Sequence, residues 1–171
     1  RTALSIAIYG GHVDFVELLI ESGANVNAKH HDGTTALIRT AFMGNIVIVN
    51  ALLTAGADVN ISSNDGRTAL MESVDCGFFS KDPSVWEHKY RAMPIVAKLL
   101  LHAGADVSKS DKDGYTALLV SVESIGKRGY FSGPRFYGPL VDTISALIAA
   151  GADVNVRDKE GKTVLSYARA F

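Results

Sequence analysis

The sequence is poor in three things: cysteine, proline and net charge. A single cysteine, Cys76, cannot close an intramolecular disulfide, so a reducing compartment is expected: the cytoplasm, with the nucleus or a host cytosol as alternatives. The net charge is −1, which removes the usual reason to expect nucleic acid or an anionic membrane as partner. No apolar run approaches the roughly eighteen residues that a membrane-spanning helix needs, and no signal peptide is visible. The chain begins at Arg1 without a methionine, so a longer parent protein is expected. Hydrophobic content of 47% with 20% charged residues describes an ordinary folded domain. The four prolines are concentrated: Pro83 and Pro94 in one stretch, Pro134 and Pro139 in another.

What the chain has in abundance is repetition. "GANVN" at 23–27 returns as "GADVN" at 56–60, "GADVS" at 104–108 and "GADVN" at 151–155. "TAL" at 2–4, 35–37, 68–70 and 116–118, with "TVL" at 163–165, is a second phrase. Thr2, Thr35, Thr68, Thr116 and Thr163 are 33, 33, 48 and 47 residues apart, so the basic period is 33. The third and fourth units carry about 15 and 14 extra residues between the two phrases.

Each phrase has a physical task. Asp-Gly or Glu-Gly before x-Thr marks a tight turn that needs positive φ. The threonine hydroxyl can then accept a bond from an orphan N–H and start a helix. "TALSIAIYGG" reads as one short helix, and "HVDFVELLIESG" as a second that ends at Gly23, a natural left-handed terminator. Five residues after each threonine stand Ala7, Thr40, Ser73, Ser121 and Ala168, all small enough to let helices of neighbouring units approach closely. The turn position three residues before the glycine is Asp111 and Asp158 in two units but His30 and Ser63 in the others, where looser hairpins are expected.

This grammar of turn, Thr-Ala-Leu helix, "GH-x-D-F-V-E-L-L" helix and "GADVN" resembles the ankyrin repeat across nearly the whole chain. The resemblance implies an all-α repeat solenoid: an ankyrin stack of helix-turn-helix units with projecting β-hairpin loops. One domain over 1–171 is expected, with units near 1–29, 30–62, 63–110 (insertion near 78–92), 111–157 (insertion near 126–139) and a partial unit at 158–171. It further implies a non-catalytic, monomeric scaffold without cofactor or metal, whose partner is another protein. Carried over by position, partner contacts fall on the hairpin tips, including His31, Asp32, Arg67 and Tyr115, and on the first-helix positions Tyr9, Phe42 and Met43. Asp75, Cys76, Glu123 and Ser124 occupy the same helix side in the later units.

The insertions hold eight of the chain's 14 aromatics: Phe78, Phe79, Trp86, Tyr90, Tyr130, Phe131, Phe136 and Tyr137. Such segments are ordered only if most of these rings are buried. Asp82-Pro83 reads as a helix start, giving a helix over 83–93, with Pro94 opening the repeat's own second helix. The stretch 126–139, with four glycines and two prolines, reads as an irregular loop. The two insertions should emerge side by side. They are a satellite core, a partner-binding surface built from Phe79, Trp86, Tyr90, Tyr130, Phe131 and Tyr137, or a disordered pair. A different class of function is small-ligand or modified-peptide recognition, methyl-lysine or nucleotide, by these rings; another is a targeting module of a larger enzyme. Cys76 with His88 or His102 lacks an oxyanion-hole turn and an orienting carboxylate. His30 and His31, adjacent on a hairpin, point apart and do not suit a metal.

Overall fold

The computed structural model describes residues 2–75, 83–126 and 134–169. For 83–86, 124–126 and 134–137 it describes the backbone alone. Among the described residues the regular structure is entirely helical: α1 Ala3–Tyr9, α2 Val13–Glu21, α3 Ala36–Met43, α4 Ile46–Thr54, α5 Ala69–Val74, α6 Pro83–His102, α7 Ala117–Gly126, α8 Pro134–Ala149 and α9 Val164–Ala168.

The odd-numbered helices begin as the sequence dictates. Thr2, Thr35, Thr68 and Thr163 sit in extended backbone and accept from Ser5, Ile38, Met71 and Ser166 N–H. Thr116 does the same for Leu119 at 3.5 Å. Each α1-type helix stacks on the next, α1 on α3, α3 on α5, α5 on α7 and α7 on α9, and a second row runs through α2, α4, α6 and α8. The result is a two-layer repeat solenoid. Its core runs between the rows as one continuous cluster: Leu4, Leu37, Leu70 and Leu118 from the first row and Val16, Val49, Leu52, Leu100 and Leu147 from the second are at most 3% exposed. Thr40, Ser73 and Ser121 are buried at the close helix approach, and their hydroxyls donate to carbonyls three or four residues back.

At both ends of the described stack, positions that are buried elsewhere lie open. Leu165 is 57% exposed, although its counterparts Leu37, Leu70 and Leu118 are 1% exposed. At the other end Phe15 is 62% exposed where its counterparts Ile48 and Val96 are buried.

Successive hairpins are bonded tip to tip. Asn64, Lys112 and Lys159 N–H donate to the carbonyls of Asp32, Asp65 and Asp113, all at 2.9–3.0 Å. The glycine in each of the first three turns, Gly33, Gly66 and Gly114, serves two needs at once. Gly66 has φ of 83°, and a Cβ there would lie 2.9 Å from Asp111 Cα of the next tip. The hairpins themselves close as isolated bridges, Ser62 with Thr68, Ser110 with Thr116 and Arg157 with Thr163. Asp111 and Asp158 each accept two backbone N–H bonds across the turn at 2.9 Å. Ser63 makes the same pair with its hydroxyl at 3.2 and 3.3 Å. At the His30 turn, Asp32 serves instead by accepting from the amide and hydroxyl of Thr34.

A second ladder runs through the "GADVN" asparagines. Asn27 donates to Gly56 O and accepts from Asp58 N–H; Asn60 donates to Gly104 O and accepts from Asp106 N–H. Ser108 occupies that place in the third copy and turns back to its own Asp106 carboxylate at 2.6 Å.

Two expectations for the inserted segments are corrected. Residues 83–93 are helical from Pro83 as expected, but Pro94 does not open a second helix: α6 runs 20 residues from Pro83 to His102 with Pro94 inside it. Pro94 lacks the N–H that would bond Tyr90 O, a loss of about 3 kcal/mol. Burial of Tyr90, Met93, Val96 and Leu100, at about 1.5–3 kcal/mol each, exceeds it. Nor is 134–139 irregular, because α8 starts at Pro134, a residue suited to a first helical turn, and continues through Pro139. Both long helices gain their extra turns at the N-terminal end, and among the described residues α6 and α8 pack closely along their length.

Candidate functional site

The inner face of the stack is built from the exposed side of α1, α3, α5 and α7 together with the hairpin tips. Its composition follows from two helical positions one turn apart. Four residues after the capping threonine come Ile6, Arg39, Glu72 and Val120, the last of them buried; seven after it come Tyr9, Phe42, Asp75 and Glu123. Ile6 and Tyr9 are 60% and 49% exposed. Arg39 lies 5.1 Å over the Tyr9 ring and 3.6 Å from the Asp32 carboxylate. The hydrogen bonds from Thr34, with Arg39 beside them, hold the Asp32 carboxyl below its ordinary range.

Two hollows open along this face. One, of about 440 Å³, is lined by Asp32, Asp65, Glu72, Asp75, Arg39, Arg67 and Phe42, among others. The other, of about 540 Å³, shares Arg67 and Asp75 and adds Asp111, Asp113, Tyr115, Glu123, Asp158, Lys159 and Glu160.

Arg67 forms the partition between them. Its guanidinium pairs with Glu72 at 2.8 Å, with Asp75, and with Asp111 at 3.5 Å. Burial works against its charge, but Glu72, Asp75 and Asp111 outweigh that and raise its pKa further. At the far end Tyr115 hydroxyl meets Tyr167 hydroxyl at 2.8 Å and Glu123 at 3.3 Å, while Tyr167 donates to Asp158 at 2.6 Å. Burial, then the bond to Asp158, pushes the Tyr167 hydroxyl well up.

The structure divides the residues singled out from sequence. Tyr9, His31 and Asp32 lie on the accessible inner face. Arg67 and Tyr115 lie there too, but both are engaged, Arg67 by three carboxylates and Tyr115 by Tyr167 and Glu123. Phe42 is half-buried rather than open, because Lys89 from α6 places its ammonium 3.8 Å over the ring. Met43 is partly buried against the core. Tyr90 is not a surface ring: at 8% exposure it belongs to the core cluster, since the lengthened α6 turns it inward. Phe79, Tyr130 and Phe131, with Cys76 and Phe78, lie outside the described residues, as do the side chains of Trp86, Phe136 and Tyr137.

Sequence reasoning missed Arg39, Glu72 and Lys89. The first two were discoverable, being one helical turn from the positions that were named. Lys89 was not. It is 7% exposed, and its ammonium donates to the Asp75 carbonyl at the C-terminus of α5. Neither partner is near it in sequence.

Among the described residues no group of three or more His, Cys, Asp or Glu side chains is placed to hold a metal ion, and no helix is long and apolar enough to cross a membrane. Comparison with curated proteins gives no match. A family model of ankyrin repeats, three copies long, matches residues 4–81. The capping threonines, tip ladder and two-row stacking of that segment continue through α9, and the chain is an ankyrin-repeat protein.

Proposed function

We propose that this chain is a non-catalytic docking scaffold that receives a protein partner on its inner face. Ankyrin repeats are generally protein–protein interaction modules and typically carry no catalysis. The observation that carries the reading is the pair of adjoining hollows, which share Arg67 and Asp75 and run along the repeat axis. Their walls are tied together by the tip ladder, so little ordering entropy is lost on docking. His31 and Asp32 at the tips, Tyr9 and Phe42 on the helices and Tyr115 at the far end are the contacts in this reading.

The alternative in which aromatic rings of the insertions cage a ligand is weakened by Tyr90, which is committed to the core. The inner face stands as the better candidate. A photo-crosslinking residue at Thr34, on the inner side, is expected to give an adduct with a protein partner. The same residue at Asn50, exposed on α4, is expected to give none. Adducts from Asn50 alone would move the docking surface to the opposite face.

A further inference from the structure

The inner face is not uniform along its length, and the gradient has a direction. At the α1 end the two surface positions are Ile6 and Tyr9, both exposed and uncharged. At α5 the same positions are Glu72 and Asp75, and at α7 the outer one is Glu123. The charge count around the hollows sharpens this. Among the described side chains, nine of 17 carboxylates line the two hollows, against three of 12 cations, Arg39, Arg67 and Lys159. Arg67 is already shared among three of those carboxylates. Lys112 and Lys162 stand at the rim against Asp65 and Glu160, in exposed pairs of little strength. The described carboxylates are therefore concentrated on one wall of a chain whose net charge is −1, and an apolar step, Ile6 and Tyr9, stands at the α1 side of that wall.

We propose that the partner segment is extended and bipartite, with an apolar or aromatic residue at one end and lysine or arginine side chains along the other. The inference rests on inner-face docking and adds the chemistry of what docks. The apolar end seats on Ile6 and Tyr9, and the basic end lies over the carboxylates of α5, α7 and their tips. Opposite charges along such a wall steer association and fix the direction in which the segment lies. Neighbouring helices pack at about 8–10 Å, so the three steps from α1 to α7 span about 24–30 Å. An extended chain at about 3.3 Å per residue crosses that in about seven to nine residues.

The test is a selection of displayed random peptides of about twelve residues on this chain at about 0.15 M salt, where nonspecific attraction is screened. It is followed by affinity measurements on two variants. One combines Asp65→Lys, Asp113→Lys and Glu160→Lys, whose side chains are 82%, 78% and 68% exposed. The other combines Ile6→Ser and Tyr9→Ser. Both should melt with the parent. Enriched peptides are expected to carry an apolar cluster at one end and about three or more positive charges, and to lose about tenfold or more in affinity for each variant. Neutral or acidic peptides that still lose affinity for the variants would overturn the bipartite chemistry but leave inner-face docking in place. Peptides bound equally by both variants, or an empty selection, would count against both.

Discussion

The first two helix pairs and the next two obey one set of rules and reach different shapes. α2 and α4 are 9 residues each; α6 and α8 are 20 and 16. The capping threonines, buried small residues and tip ladder are the same in both halves, so lengthening the second helix leaves the repeat axis intact. The added turns sit at the end remote from the tips, where they gain their own contacts: α6 against α8, and Lys89 over Phe42 and the end of α5. A solenoid tolerates extra material where it extends an existing row, because each new turn finds the neighbouring row already present.

That comparison can be broken most forcefully at the core. Leu118→Ala should cost about 2–5 kcal/mol, whereas Leu165→Ala, at the same repeat position but 57% exposed, should change stability by about 0.5 kcal/mol or less. Urea unfolding of the two variants measures the contrast, and equal losses would mean that α9 is buried in solution. Next is Lys89→Met, which keeps the buried stem but removes the charge over Phe42 and the bond to Asp75 O. A loss of about 1–3 kcal/mol is expected, with no effect if the long helix contributes only apolar packing.

The asparagine ladder offers a smaller and two-way test. Asn60→Ala should lose about 1–2 kcal/mol, and Ser108→Asn should gain about 0.5–1.5 kcal/mol by supplying the bridge that the third copy lacks. Thermal melts of both variants decide it; a neutral Ser108→Asn would show the third and fourth units meeting in a different register there. The smallest effect concerns pH. Burial raises the Asp158 carboxyl, but the bonds from Tyr167 and from the Lys162 and Glu160 amides outweigh it and hold it below its ordinary 3.8. The stability it contributes is present above pH 3.8 and lost as pH falls through its folded value. Asp158→Asn should flatten that part of an acid titration followed by circular dichroism.

The repeat was legible because it is written in local chemistry. A threonine cap, a positive-φ glycine and a small residue at a helix approach are each decided within a few residues, and all appear where the spacing puts them. Legibility stopped where distant partners decide. Pro134 and Pro139 look like breakers until α6 is beside them, and Pro94 reads as a fresh start until the burial of Tyr90 and Met93 is known. Exposure was legible at Tyr9 and His31, and Asp32 lies beside them at the rim of the first hollow. Phe42 still lines that hollow but is partly covered by Lys89, and exposure was misjudged at Tyr90, which the lengthened α6 turns inward.

The bonds joining Asp32, Asp65 and Asp113 carbonyls to Asn64, Lys112 and Lys159 amides use no side chain at all. Apart from the turn glycines and the side chains that close the turns, the lettering of the tips can therefore be rewritten without moving the rail on which it is mounted. An added residue in any one turn would instead throw the adjoining tips out of step, so divergence in specificity should proceed by exchange of side chains rather than by change of length.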